Sequence, residues 1–142
     1  MDNVIEAIDD KETTMTAGTA EAPLSVLEVI DAAGPDGLAP GRVEATGVWL
    51  YAKNLLSTGD ELRVGRPNGK HADSEQLVEG LFAAVGAGLV RRSGGQYVLT
   101  PRGHDVLERA GVMSRDEARA AAAELASRDV DAVRAEADDL LS

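Results

Sequence analysis

The chain has 142 residues, contains no cysteine and carries a formal net charge of −11. Its length fits one domain with a modest core, and the lack of cysteine excludes disulfides, thiolate metal sites and a cysteine nucleophile. With one Trp, two Tyr and one Phe in the whole chain, aliphatic side chains must build the core, and no aromatic platform for stacking single-stranded nucleic acid is expected.

Acidic charge is concentrated at the two ends of the chain. Residues 1–22 contain six acidic residues against one lysine, and residues 104–142 contain ten against five arginines. Residues 62–103, in contrast, contain six Lys and Arg against three acids. We therefore predict an acidic N-terminal tail over 1–22, either unstructured or bound to a partner, followed by a domain whose centre is locally basic.

The sequence shows no targeting or membrane-spanning pattern. Its N-terminus has no basic segment that leads into an apolar run, and no apolar stretch approaches the ~20 residues that span a bilayer. We expect a cytoplasmic protein that does not bind a membrane.

Two helices are predicted at the start of the domain. Apolar residues repeat at near-helical spacing over 24–30, which indicates the first helix. Pro40 suits a first helical turn, and the second helix is predicted over 42–57. The connection at 58–72 is polar and rich in Gly and Pro, with room for a short strand at 62–64.

A third helix is predicted to begin at Asp73 or Ser74 and to end before Gly88. Its apolar residues repeat at helical spacing, so we expect all of them on one buried face. Phe82 should fill the core, and Phe82→Ala should cost about 3–5 kcal/mol of stability. The apolar set is Leu77, Val78, Leu81, Phe82 and Val85.

A β-hairpin and a short helix are predicted next. Residues 89–93 and 96–100 flank the turn pair Gly94-Gly95, which is typical of a two-stranded hairpin. The following Thr-Pro pair at 100–101 starts another short helix.

The last part of the chain, 111–142, is predicted as a C-terminal helix or helices. Ser114 with Glu117 three residues later is a capping-box signature. The apolar phase then slips, so we expect a kink or a second helix near Asp129. An apolar stripe on the final helix should pack on the domain or on a second copy, and we predict a homodimer through it. The stripe consists of Val133, Ala137, Leu140 and Leu141.

The order helix, helix, helix, hairpin, helix, with GLVRRSGGQYVLTPRG at the hairpin, resembles the winged helix-turn-helix superfamily. Tyr97, Leu99, Thr100 and Gly103 stand at the positions that match the wing of PadR-like and MarR-like regulators. The resemblance implies a mainly α fold with a small β-hairpin, in which a winged helix-turn-helix domain at 23–110 precedes the C-terminal helices. It also implies a DNA-binding transcriptional regulator.

The resemblance implies that double-stranded DNA is the partner. Cations of the 58–72 connection and of the wing would contact phosphates, which position a protein on the duplex. Gln76, on the helix before the wing, would read a base edge. The candidate DNA-binding residues are Arg63, Arg66, Lys70, Gln76, Arg91, Arg92, Gln96 and Arg102.

The composition of helix three favours an alternative. Its expected outward positions include Glu75 and Glu79, which do not suit phosphates, and small residues that suit close approach by another helix. The chain could instead be a protein-interaction or structural module of a larger assembly, with a partner packed against Gly80, Ala83 and Ala87.

No enzymatic activity, cofactor or metal is predicted. The segment 65–69 is one residue short of a phosphate-binding P-loop, and His71 replaces the hydroxyl that would bind magnesium. His71 and His104 are the only histidines, and neither lies in a segment with metal-ligand spacing. No arrangement of Ser, His and acid can be assigned.

Overall fold

The computed structural model describes residues 24–59 and 74–141 of the chain. These residues form six α-helices and one antiparallel hairpin, so the prediction of a mainly α fold with a small β-hairpin is confirmed. The predicted tail at 1–22 and the short strand at 62–64 lie outside the described residues. In chain order the elements are α1 (Leu24–Ala33), α2 (Pro40–Ala52), α3 (Ser74–Gly86), β1 (Val90–Ser93), β2 (Gln96–Leu99), α4 (Pro101–Ala110), α5 (Asp116–Leu125) and α6 (Val130–Leu141).

Helix α1 lies at the centre of the fold. Every residue from Ser25 to Ala32 is buried, and the helix packs against α2, α3, α4, α5 and β2. Its run of Val, Leu and Ile side chains meets apolar residues from the other helices in one core, as aliphatic burial requires in a chain with few aromatics. Among the fully buried side chains of that core are Leu50, Leu77, Leu107 and Leu125.

Helix α2 begins at Pro40 and ends at Ala52, so the predicted span 42–57 is wrong at its C-terminal end. The helix stops before Asn54, which adopts a left-handed backbone with φ of 60°. Further on, the N–H and the hydroxyl of Thr58 donate to the buried Glu28 carboxylate at 3.0 and 2.8 Å. A buried carboxylate needs such donors, so Glu28 of α1 fixes the segment after α2.

The predicted capping box at Ser114 is wrong. Helix α5 begins at Asp116, and Arg115 occupies the N-cap position without a side-chain cap. The hydroxyl and the N–H of Ser114 instead donate to one oxygen of the buried Asp31, at 2.7 and 3.0 Å. Asp31 requires donors at its buried position, so a tertiary partner takes the place of the expected local cap.

The hairpin is confirmed, and a third segment joins it that was not predicted. Leu38, between α1 and α2, donates to and accepts from the backbone of Tyr97 at 3.0 and 2.7 Å. Gly37 makes this approach possible, because its φ is 73° and a Cβ there would lie 2.1 Å from the Tyr97 carbonyl oxygen. The segment between α1 and α2 is thereby held against the hairpin.

The start of α4 gives a structural role to the Thr-Pro-x-Gly motif. The Thr100 hydroxyl accepts from the Gly103 N–H at 3.1 Å and donates to the Gly88 carbonyl at 2.7 Å. Pro101 occupies the first helical turn, where its missing amide hydrogen costs nothing. A Cβ on Gly103 would lie 2.1 Å from the Leu89 carbonyl oxygen, so glycine is needed for this close packing.

The C-terminal helices pack on the preceding ones. The predicted break near Asp129 is confirmed, and the Asp129 carboxylate accepts from the N–H groups of Asp131 and Ala132 at 3.1 and 3.3 Å at the start of α6. Helix α6 runs along α2, with Val133 and Ala137 each 1% exposed. The predicted extension therefore adds to the core of the helices before it.

Candidate functional site

Helix α3 packs into the core through one face. Leu77, Leu81 and Ala84, spaced by four and three residues, are buried against the rest of the protein. The approach to α2 is close because Gly47 has no side chain: a Cβ there would lie 2.9 Å from Leu77 Cδ1. This face is the one that the helical spacing predicts.

The prediction that all the apolar residues of α3 are buried is wrong. Val78, Phe82 and Val85 are 41%, 64% and 38% exposed. The predicted apolar positions span an arc of roughly 140° around the helix, whereas the three buried residues span only about 60°. Because the core covers only one side of α3, the remaining part of the arc is left in solvent. We call these three residues the α3 stripe.

The surroundings of the α3 stripe are acidic. Glu75 and Glu79 are exposed on α3, and at 100° per residue they follow Phe82 around the helix. Helix α3 contains no Lys or Arg among its 13 residues. The exposed side of α3 thus combines an apolar strip with negative charge.

A shallow cavity of about 80 Å³ lies between α2 and α3 beside the stripe. Pro40 and Val43 of α2 line one side of it, and Phe82 of α3 lines the other. Tyr97 of β2 also contributes. Among the described residues that line it, Glu44 is the one charged side chain. The cavity therefore suits an apolar side chain from another molecule.

The two arginines of β1, Arg91 and Arg92, point in different directions. Alternation along β1 sends neighbouring side chains to opposite faces, and both are exposed. The Arg92 guanidinium lies 5.4 Å from the centroid of the Tyr97 ring, whereas Arg91 lines a separate cleft with Asp31 and Arg119. Arg91 and Arg92 therefore do not form one cationic patch.

The remaining candidate DNA contacts are scattered. Gln96 is half-buried on β2, and Arg102 is exposed on α4, its Nη1 4.0 Å from where a Cβ of Gly88 would lie. Gln76 is half-buried and already has an interaction partner within the protein. The other three candidates, Arg63, Arg66 and Lys70, lie outside the described residues.

Other arginines of the described ranges hold helices together. Arg42 of α2 donates to the Leu125 carbonyl at 3.1 Å, and Arg134 of α6 pairs with Glu44 at 3.2 Å. Both guanidinium groups are therefore held in place by the fold, and the charge of Arg134 is paired with an acid.

The predicted small-residue contact surface lies on the other flank of α3. Gly80 is half-buried, and Ala83 and Ala87 are exposed. Sequence reasoning chose this flank because it assigned the larger apolar residues to the core. The sequence held no clear signal for the α3 stripe, because a wide apolar arc is also typical of a helix that buries one whole face.

The predicted self-association surface on α6 is mostly covered. Val133 and Ala137 are buried against the protein's own helices, Leu141 is half-buried, and Leu140 is 40% exposed. The expectation of a homodimer rested on these side chains remaining in water. The homodimer stays a prediction that no longer has this support.

His104 and Asp31 are neighbours, with 3.8 Å between Nε2 and Oδ1, while His71 lies outside the described residues. Within 24–59 and 74–141, no group of three or more His, Asp or Glu side chains could hold a metal ion. No helix in those ranges is long and apolar enough to cross a membrane. Comparison with known protein families, curated proteins and solved structures found no significant match to this chain.

Proposed function

We propose that this chain is a protein-interaction module with a winged-helix fold that docks a partner protein on the α3 stripe. The observation that carries the proposal is Phe82. The chain's single Phe is 64% exposed, on the helix that DNA-binding winged domains place in the major groove. The succession α1, Leu38 bridge, α2, α3 and hairpin supports the winged-helix interpretation.

Exposure of these side chains has a cost that a partner would relieve. Removing apolar surface from water contributes about 25 cal/mol per Å², and aromatic side chains bury the largest areas. Contiguous exposed apolar residues bordered by polar ones are typical of interaction sites. Val78 and Val85 flank Phe82 on α3, so all three can contact one partner surface.

The same face is a poor match for DNA. A helix in the major groove needs donors and acceptors for base edges and cations for phosphates. Here Glu75 and Glu79 would repel phosphates, and Phe82 would meet the polar floor of the groove. The charge and the apolar stripe therefore both favour protein over DNA at α3.

The partner chemistry follows from the surface. An apolar side chain would enter the cavity of about 80 Å³ between α2 and α3. Lys or Arg on either side of that residue would pair with Glu75 and Glu79, which favours association and orients it. We therefore expect a partner protein that presents an apolar residue flanked by basic ones.

Affinity capture from native extract tests the proposal. The full chain, Phe82→Gln and Ala83→Gln would be compared after nuclease treatment, with retained proteins identified by mass spectrometry and rebound in purified form. Both substitutions place glutamine at an exposed position of α3. Phe82→Gln removes the aromatic ring of the stripe, and Ala83→Gln adds a polar side chain on the opposite flank. We expect a nuclease-resistant partner that Phe82→Gln loses and Ala83→Gln retains, and that binds through a basic-flanked apolar segment.

Other outcomes would overturn the proposal. Loss with Ala83→Gln but not with Phe82→Gln would move the site to the flank of Gly80, Ala83 and Ala87. If light scattering shows that the wild type is a dimer and Phe82→Gln a monomer, the occupant is a second copy of this chain. A partner that binds both variants equally would mean that neither flank of α3 is the site.

DNA binding is the second candidate, favoured by the exposed cations Arg91 and Arg92 of β1 and Arg102 of α4. Three phosphate contacts predict that affinity falls by about 2.7 decades per decade of salt. A labelled duplex titrated at roughly 50 mM salt would decide, because saturable binding that Arg91→Glu with Arg92→Glu abolishes would establish DNA as the partner. We expect no such binding.

A further inference from the structure

A second concave site lies away from the α3 stripe, at the junction of the wing with the ends of α1, α4 and α5. Its volume is about 350 Å³, within the range of small-molecule sites in proteins. Arg91 enters it from β1, His104 from α4 and Arg119 from α5, and Asp31 lies at its α1 side. Three separate elements thus bring donor side chains to one cleft.

The acid in this cleft is already used by the fold. Asp31 has a side chain only 5% exposed, and one of its oxygens accepts from both donors of Ser114 and from Arg119 at 3.3 Å. His104 approaches the other oxygen at 3.8 Å. The Asp31 charge is therefore paired with Arg119 within the fold.

The charge that remains in the cleft is positive. Among the described residues that line it, Asp31 is the one acid, against Arg91 and Arg119 with His104 beside them. Arg119 and His104 are 49% and 56% exposed, so their nitrogens can reach a bound molecule. Asp31 neutralises one of the two arginines, so one positive charge remains. A ligand with a single negative charge would balance it.

The rest of the wall is apolar. Val98 and Leu99 of β2, both half-buried, and the exposed Pro35 after α1 line the cleft beside the cations. A free inorganic anion would leave this surface uncovered, whereas an anion with a hydrocarbon body would cover it. Arg119 already donates from Nε to Ser114 Oγ at 2.8 Å and from Nη2 to Asp31. The planar fork of Arg91 can offer a carboxylate two parallel hydrogen bonds.

We propose that this cleft binds a small organic monocarboxylate, with its carboxylate between Arg91 and Arg119 and its apolar body against Pro35, Val98 and Leu99. The ligand would join the wing to α5 through charge-assisted hydrogen bonds. The site is separate from the α3 stripe, so it stands whether or not a protein docks there.

Titration of the purified full chain, followed by backbone amide NMR, tests the site. The probes are hexanoate and phenylacetate, with hexanamide as the uncharged match for hexanoate and inorganic phosphate as an anion without an apolar body. We expect saturable shifts from at least one carboxylate below ~10 mM, at residues of β1, β2 and the end of α1. Hexanamide and phosphate should bind roughly tenfold more weakly or worse.

The wing supplies a matched pair of variants. Arg91→Gln should weaken carboxylate binding about tenfold, whereas Arg92→Gln, the neighbour that lies over Tyr97, should leave it within about twofold. Both positions are exposed, and the amide spectra of the free variants check that the fold is kept. The proposal is overturned if neither carboxylate saturates, if hexanamide binds as well as hexanoate, or if Arg91→Gln binds like the wild type.

Discussion

Helices α3 and α6 have similar sequence patterns but differ in how much of their apolar surface the protein buries. Each helix carries acidic residues and an apolar strip at helical spacing. The α6 strip is covered, with Val133 and Ala137 each 1% exposed, whereas Phe82 on α3 is 64% exposed. An apolar strip thus predicts that something packs there, but it does not say whether the same chain provides the cover.

Polar contacts at the edge of α6 help to hold this helix in place. The Trp49 indole N–H of α2 donates to Glu136 at 3.2 Å, and Arg128 pairs with the same carboxylate. These contacts favour one register between the helices. On α3 the neighbouring residues Glu75 and Glu79 are exposed, so an arriving partner would have to supply the cations.

The largest expected effect separates the two faces of α3. Leu81→Ala should destabilise the protein by about 2–5 kcal/mol, because it leaves a cavity at a core position. Phe82→Ala, one residue later, should cost less than about 1 kcal/mol, as for surface substitutions. Denaturant melts of the two variants beside the wild type measure the difference. Equal losses would mean that Phe82 is buried after all and would remove the basis of the docking proposal.

A smaller effect is expected from adding volume. Ala137→Leu should destabilise the protein by roughly 1–3 kcal/mol, because α6 lies against α2 with no space for a larger side chain. Ala83→Leu places the same residue on exposed α3 and should change stability by no more than about 0.5 kcal/mol. Thermal or denaturant unfolding gives both values. If Ala137→Leu were neutral, the packing of α6 on α2 would be loose and the contrast between the helices would weaken.

The smallest effect concerns the acid edge of α6. The hydrogen bond from Arg128, and then the one from Trp49, holds the pKa of Glu136 below its ordinary value of 4.5. A lowered folded-state pKa contributes stability above the ordinary value, and that contribution is lost as pH falls through the lowered pKa. The free energies of unfolding of the wild type and of Glu136→Gln should therefore differ at neutral pH and become equal in acid.

Glu79→Gln, at an exposed position in the middle of α3, is the control for this pH series. Its unfolding should follow the wild type at every pH. If the free energies of unfolding of the wild type and Glu136→Gln differ by the same amount at every pH, the charge of the Glu136 carboxylate does not stabilise the packing of α6.

The local structure of the hairpin could be predicted from sequence because its signals are short-range. Gly94-Gly95 between two short strands specifies a hairpin, and Thr100 before Pro101 marks a helix start. What failed depended on residues distant in the chain. Ser114 binds Asp31, 83 positions away, and Thr58 binds Glu28, 30 positions away, and each tertiary partner overrides the local pattern.

The candidate site was missed for a related reason. Helical spacing correctly predicted that Leu77 and Leu81 are buried, but spacing does not show how much of the α3 surface its neighbours bury. Only the positions of α1 and α2 show that Val78 and Phe82 remain exposed. The cleft of Arg91, His104 and Arg119 was equally hidden, because three elements far apart in the chain meet there.

The most direct test of the central claim is the affinity of the captured, purified partner for Phe82→Gln beside Ala83→Gln. If the α3 stripe is the docking surface, Phe82 is a central aromatic anchor, and its loss should weaken binding by about 30-fold or more. Ala83→Gln should stay within about twofold of the wild type. Equal affinity of the two variants for the partner would contradict the account.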